Sequence, residues 1–205
     1  HRDLHSFPTR RSSDLTFTHY RHNNIDKNSL SHEHIDFSSI CEDSSGILWI
    51  GTFGGGLNSL DIDKNKFTHY KHNENDPESI SHNSITNIHL AKLNDGSEVL
   101  WIGTYGGGLN KFDLKTKKFT RYHHNKDNPN TLVDDRVRSI YVEPLSNTVW
   151  IVTANGLDKL DLKTETFSRF EKKKNEDLNN RRFYYAKDGN LWIANNYGSV
   201  NHFDP

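Results

Sequence analysis

The chain has 205 residues, 32% of them hydrophobic and 11% aromatic, with a formal charge of -1. That charge excludes a general attraction to nucleic acid or to anionic membrane surfaces. A lone cysteine, Cys41, excludes an internal disulfide, and no apolar run approaches the roughly 20 residues that span a bilayer.

Residues 1–15 read HRDLHSFPTRRSSDL, and the part from His5 to Leu15 resembles the conceptual translation of a short-read sequencing adapter. It is expected to be a non-native, disordered tail, and its Arg10-Arg11 pair is not read as a targeting signal. Methionine is absent throughout, so the genuine sequence is expected to be a fragment. It begins near Thr16 with TFTHYRHNN, an expected orphan strand over 17–22.

From there the text repeats. IDFSSICEDSSG leads into LWIGTFGGGLNSLD at Leu48 and then NKFTHYKHN. ITNIHLAKLNDG leads into LWIGTYGGGLNKFD at Leu100 and then KKFTRYHHN. VRSIYVEPLSN, VWIVTANGLDKLD and ETFSRFEKK form a third round, and RRFYYAKDGN with LWIANNYGSVNHFD opens a fourth. Trp49, Trp101, Trp150 and Trp192 mark the rounds at intervals of 52, 49 and 42 residues. Each round holds four short segments of alternating or β-branched character separated by Gly, Asn, Asp and Ser, and none has helical periodicity. A four-stranded unit recurring at this interval predicts an all-β fold of β-propeller blades, each of four antiparallel strands. The expected blades cover 32–72, 82–124 and 135–171, with a partial blade over 181–204. Residues 16–205 thus form an open arc of about four blades. Closure into a four-bladed ring by the orphan strand is the disfavoured alternative.

The triple glycines Gly54-Gly55-Gly56 and Gly106-Gly107-Gly108 lie between two strands, with no Lys-Ser/Thr after them. They therefore read as hairpin corners that need positive φ and close backbone approach, not as a phosphate loop. One Trp per repeat reads as a packing residue between blades. Thirteen histidines invite a metal, but most recur at strand ends such as His22, His72 and His124, which spread around a rim. They are expected to be surface residues. The pair His32 and His34 lacks a third ligand of evident spacing. DIDKN at Asp61 opens like a calcium loop, yet Lys66 stands at the required glycine. It reads as an Asx turn. No GxSxG, HExxH or supported Cys–His pair is present. No cofactor, metal or catalytic residue is expected in this chain.

The stretches EDSSGILWIGTFGGGLNSLD and LWIGTYGGGLNKFDLKTKKFTRY resemble the two-component regulator propeller repeat. That repeat fills the sensor regions of hybrid two-component histidine kinases in Bacteroidetes. The resemblance covers nearly all of Thr16 to Pro205 and weakens in the last two rounds, where Val152, Ala154-Asn155-Gly156, Ala194 and NNYGSV depart from the pattern. It implies a periplasmic sensor ectodomain with further blades, a membrane-proximal domain, and a histidine kinase elsewhere in the full-length protein, with a homodimer as one possible assembly. In a propeller the second-to-third-strand corners share one rim, where Phe53, Tyr105, Asn155 and Tyr197 would stand. Rings beside Asn and Gly suit carbohydrate, whose C–H faces stack on aromatics. The expected partner is an oligosaccharide or another small ligand. A secreted propeller lyase or glycan hydrolase and a protein-interaction scaffold are the alternatives.

Overall fold

The Trp-centred segments LWIG, LWIG and VWIV are apolar without alternation, whereas KFTHY and FTRY alternate. A strand covered on both faces has no polar side to show, and one at a margin does. The computed structural model agrees with that division. It describes residues 17–93, 95–143, 147–171, 180–186, 190–195 and 200–203. The strands are β1 Ile35–Glu42, β2 Ile47–Thr52, β3 Gly56–Asp61, β4 Lys66–Tyr70, β5 Ile85–Lys92, β6 Glu98–Thr104, β7 Leu109–Asp113 and β8 Phe119–Tyr122. They continue with β9 Val137–Val142, β10 Thr148–Thr153, β11 Gly156–Asp161, β12 Thr166–Glu171, β13 Asn180–Tyr185, β14 Leu191–Asn195 and β15 Val200–Phe203.

Each blade is an antiparallel meander in chain order: β1 to β4, β5 to β8, β9 to β12, and the three strands β13 to β15. The first strands lie innermost, with β1 against β5, β5 against β9 and β9 against β13. The described residues thus make an open, partial propeller without helices.

The cores lie between blades. Trp49 packs with Ile85, Leu100, Ile102 and Phe112 of the second blade, its ring 5.3 Å from that of Phe112. Trp101 joins Val137, Ile151, Leu160 and Phe167 of the third, and Trp150 joins Leu191 and Ile193 of the fourth. Trp192, with no following blade among the described residues, is 40% exposed. Blades approach closely enough that a Cβ on Gly103 would sit 2.6 Å from Val137 Cγ1.

Residues 17–22 correct the expected orphan strand. They resemble β4 and β8 in sequence, but those strands pair with the third strand of their own blade. Among the described residues 17–22 has no such partner: one parallel bridge joins His22 to Leu30, and Phe17 is 82% exposed. The tail 1–15 lies outside the described residues.

The turn after the third strand is an Asx turn in each complete blade. Asp61 Oδ1 accepts from the Lys64 amide, Asp113 Oδ1 from Lys115 and Thr116, and Asp161 Oδ1 from Lys163 and Thr164. The segments leading into the inner strands are ordered straps, not slack loops. In the three straps the amides of Asn23, Asn73 and Asn125 donate to Ser29 Oγ, Ser79 Oγ and Thr131 Oγ1 at 2.9–3.0 Å. His22, His72 and His124 donate from Nδ1 to the carbonyls of Leu30, Ile80 and Leu132. These histidines brace the straps while remaining at the surface, His124 exposed and His22 and His72 partly so. The fourth strand of the blade then clasps its strap: His69 Nε2 to the Ser29 carbonyl, Arg121 Nε to that of Ser79, Arg169 Nε to that of Thr131. From inside the sheet, Asn58, Asn110 and Asp158 accept the amides of Ser31, Ser81 and Val133.

Candidate functional site: the corner rim

The straps decide where the corners sit. The amide of Phe53 donates to the His34 carbonyl of its own blade, while those of Gly54 and Gly56 donate to the Asn83 carbonyl of the next strap. The second corner repeats this, with Tyr105 on Ser84 and Gly106 and Gly108 on Asp135. The glycines permit this wedge. Gly56 has φ 80° and Gly108 φ 74°, and a Cβ on Gly108 would collide with the Tyr122 carbonyl oxygen. At Gly107 a Cβ would come within 2.6 Å of His82 Cβ.

With the main chain held on both sides, the side chain before the glycines can only turn outward. Phe53 is 44% exposed and Tyr105 43%. Their rings meet across the blade boundary, centroids 5.7 Å apart and planes at 57°. Two half-buried rings held by main-chain bonds form a rigid apolar ledge, able to stack on a ligand with little ordering cost.

The third corner is one residue shorter and carries no ring. Ala154 takes the Phe53 position, its amide donating to the Arg136 carbonyl. Asn155 is exposed, and its amide donates to Asp134 Oδ2 at 2.8 Å. Asp134 also receives Arg136 through Nε at 2.9 Å and Nη2 at 2.8 Å. Burial would raise the Asp134 carboxyl, but the Arg136 hydrogen bonds and charge hold it below the ordinary carboxylate range. Asn155 is thus part of a closed polar cluster and stands apart from the aromatic ledge. Beside Tyr105 the third blade instead contributes Arg138 from β9, its guanidinium carbon 5.7 Å from the ring centre. Nothing in the sequence singled out Arg138. Tyr197 lies outside the described residues.

Elsewhere, the rings of His32 and His34 approach to 5.4 Å, but His32 Nδ1 accepts the His34 amide. Among the described residues no group of three or more His, Cys, Asp or Glu could hold a metal ion. No helix among them is long and apolar enough to cross a membrane.

Residues 29–54 match the family model described as "Two component regulator propeller". No curated protein matches the sequence. The fold is similar to that of the extracellular domain of the hybrid two component system BT3049 of B. thetaiotaomicron. That likeness has a TM-score of 0.71 and 25% identity over 83% of this chain and 23% of that one. It is also similar to the extracellular domain of BT4673 of the same organism, in two structures. One has a TM-score of 0.62 at 21% identity over 83% of this chain and 24% of that one. The other has 0.66 at 24% identity over 88% and 24%. The chain spans about a quarter of the length of these domains. Blade topology and structural likeness agree that the described residues form an open, partial β-propeller, within which residues 29–54 match the two component regulator propeller repeat.

Proposed function

We propose that this segment belongs to the periplasmic sensing propeller of a hybrid two component histidine kinase, and that its rim binds an oligosaccharide. The similarity to extracellular domains of two component systems supports the sensor role. The observation that carries the site is the exposed Phe53–Tyr105 ledge, held rigid by main-chain bonds from two straps. Sugar C–H faces stack on such rings, and recognition belongs on loops carried by a rigid scaffold. Binding would favour one arrangement of the propeller and the membrane-proximal domain, biasing a kinase that lies elsewhere in the full-length protein. In this reading the segment itself recognises and does not catalyse.

The test is titration calorimetry of the chain against a panel of neutral and acidic oligosaccharides. At least one should bind, and Phe53→Ala and Tyr105→Ala should each weaken it by about tenfold, as loss of a stacked ring does. Binding that survives both substitutions, or no binding by any sugar, removes the rim from consideration.

A further inference from the structure

Among the described residues the rim holds two arginines with opposite circumstances. Arg136 is neutralised by its two-bonded contact with Asp134. Arg138, two residues on, makes no hydrogen bond or ion pair among the described residues, and its Nε is buried without a partner. Its guanidinium lies over the face of Tyr105. At the equivalent inner-strand positions of the other blades the polar groups are used internally. Asp36 Oδ1 accepts from the Ser38 amide and hydroxyl, and Thr86 Oγ1 donates to the Val137 carbonyl.

A half-buried guanidinium without a carboxylate is costly, and its planar fork is complementary to one. Nothing among the described residues pairs with it. The third corner, with Ala154 where its counterparts carry Phe53 and Tyr105, offers no ring beside it. Ring, ring and cation follow one another in two steps of 5.7 Å. That is short enough for neighbouring sugar residues of a single chain, one stacked and the next presenting an acid.

We propose that Arg138 is a specificity-determining residue of the rim, and that the ligand is a uronate-bearing oligosaccharide whose carboxylate pairs with its guanidinium while an adjacent sugar stacks on Tyr105 and Phe53. This rests on the rim being the binding site. It adds the chemical class of the ligand, which the aromatic ledge alone leaves open.

The test compares a galacturonate tetramer with its methyl ester, which has the same sugars but a masked charge, and with a sulfated neutral galactan tetramer. The wild-type chain should bind the acid at least about tenfold more tightly than the ester, as a charge-assisted pair requires. The preference should shrink with added salt. Arg138→Gln should abolish it while leaving binding of the ester unchanged, and Arg138→Lys should retain part of it. Unchanged thermal midpoints in both variants separate this from misfolding, and the salt series on the unmodified chain tests the charge without any substitution. Acid and ester binding alike, with Tyr105→Ala weakening both, overturns the inference and leaves the rim standing. Tighter binding of the sulfated tetramer overturns the carboxylate assignment. Failure of all three ligands, with Tyr105→Ala silent, removes the rim and the inference together.

Discussion

The first two blades and the third are built on one plan, yet they differ at several of the polar addresses described above. Corners carrying Phe53 and Tyr105 above three glycines give way to Ala154, Asn155 and Gly156. The buried strap acceptor changes from Asn58 and Asn110 to Asp158. The strap clasp changes earlier, from His69 in the first blade to Arg121 and Arg169. The apolar positions hardly vary: Leu57, Leu109 and Leu157 are all buried, as are Trp49, Trp101 and Trp150. Burial between blades sets the architecture, and polar substitutions at fixed addresses then give each blade a different chemistry.

The sharpest way to break the common plan is at a corner. Gly108→Ala should cost about 3 kcal/mol or more, because a Cβ at φ 74° meets the Tyr122 carbonyl. Gly106→Ala, at φ 113° with nothing within 4 Å of a Cβ, should cost the backbone strain alone, about 1–2 kcal/mol. Denaturant unfolding of the two variants measures the difference, and equal losses would mean that crowding is not what the glycine run serves.

The next effect lies at Asp158, which is fully buried where the other blades bury a neutral amide. Burial pushes its carboxyl up to about 7, against the opposing influence of the Val133 amide, Arg169 and His124, with Asp134 adding to the rise. The folded state therefore keeps a proton that the unfolded chain gives up near pH 4. Stability should fall as pH rises from about 4 to about 7, and level off above that range. Asp158→Asn should abolish this slope and raise stability at pH 8 by about 2–4 kcal/mol. A parallel pH profile for variant and parent would show that Asp158 stays ionised throughout.

A smaller contrast separates the clasps. Arg121 reaches the Ser79 carbonyl, Ser79 Oγ and the Asp76 carbonyl, whereas among the described residues His69 reaches the Ser29 carbonyl alone. Arg121→Ala should cost about 2 kcal/mol and His69→Ala about 1 kcal/mol, in proportion to the bonds lost. Hydrogen exchange at Asn73 and Asn23 would follow each strap separately. Faster exchange at Asn23 than at Asn73 in the unmodified chain would fit the weaker clasp.

The blades were legible in the sequence because burial between them demands a large apolar residue at one place per repeat, and Trp49, Trp101 and Trp150 occupy it. The Asx turns were legible because an aspartate two residues ahead of a turn amide has one common use. The straps were not. Their bonds run from polar side chains to main-chain carbonyls, and the letters change from Ser29 to Thr131 and from His69 to Arg169. No hydrophobic period marks them. At the rim, sequence reasoning reached Phe53 and Tyr105 through the glycine corners. It put Asn155 beside them, unaware of its bond to Asp134, and passed over Arg138. Whether an arginine in a strand is paired depends on which carboxylates the fold brings near, and no spacing along one chain records that.

The clasps also impose an order in time. Ser29, Ser79 and Thr131 each wait for a side chain 38 to 42 residues further along: His69, Arg121 and Arg169. On the ribosome, where domains take shape as the chain emerges at about 5–20 residues per second, each junction stays unlatched for a few seconds until its own fourth strand arrives. The propeller would then assemble as a ratchet, each blade locked to its predecessor before the next begins.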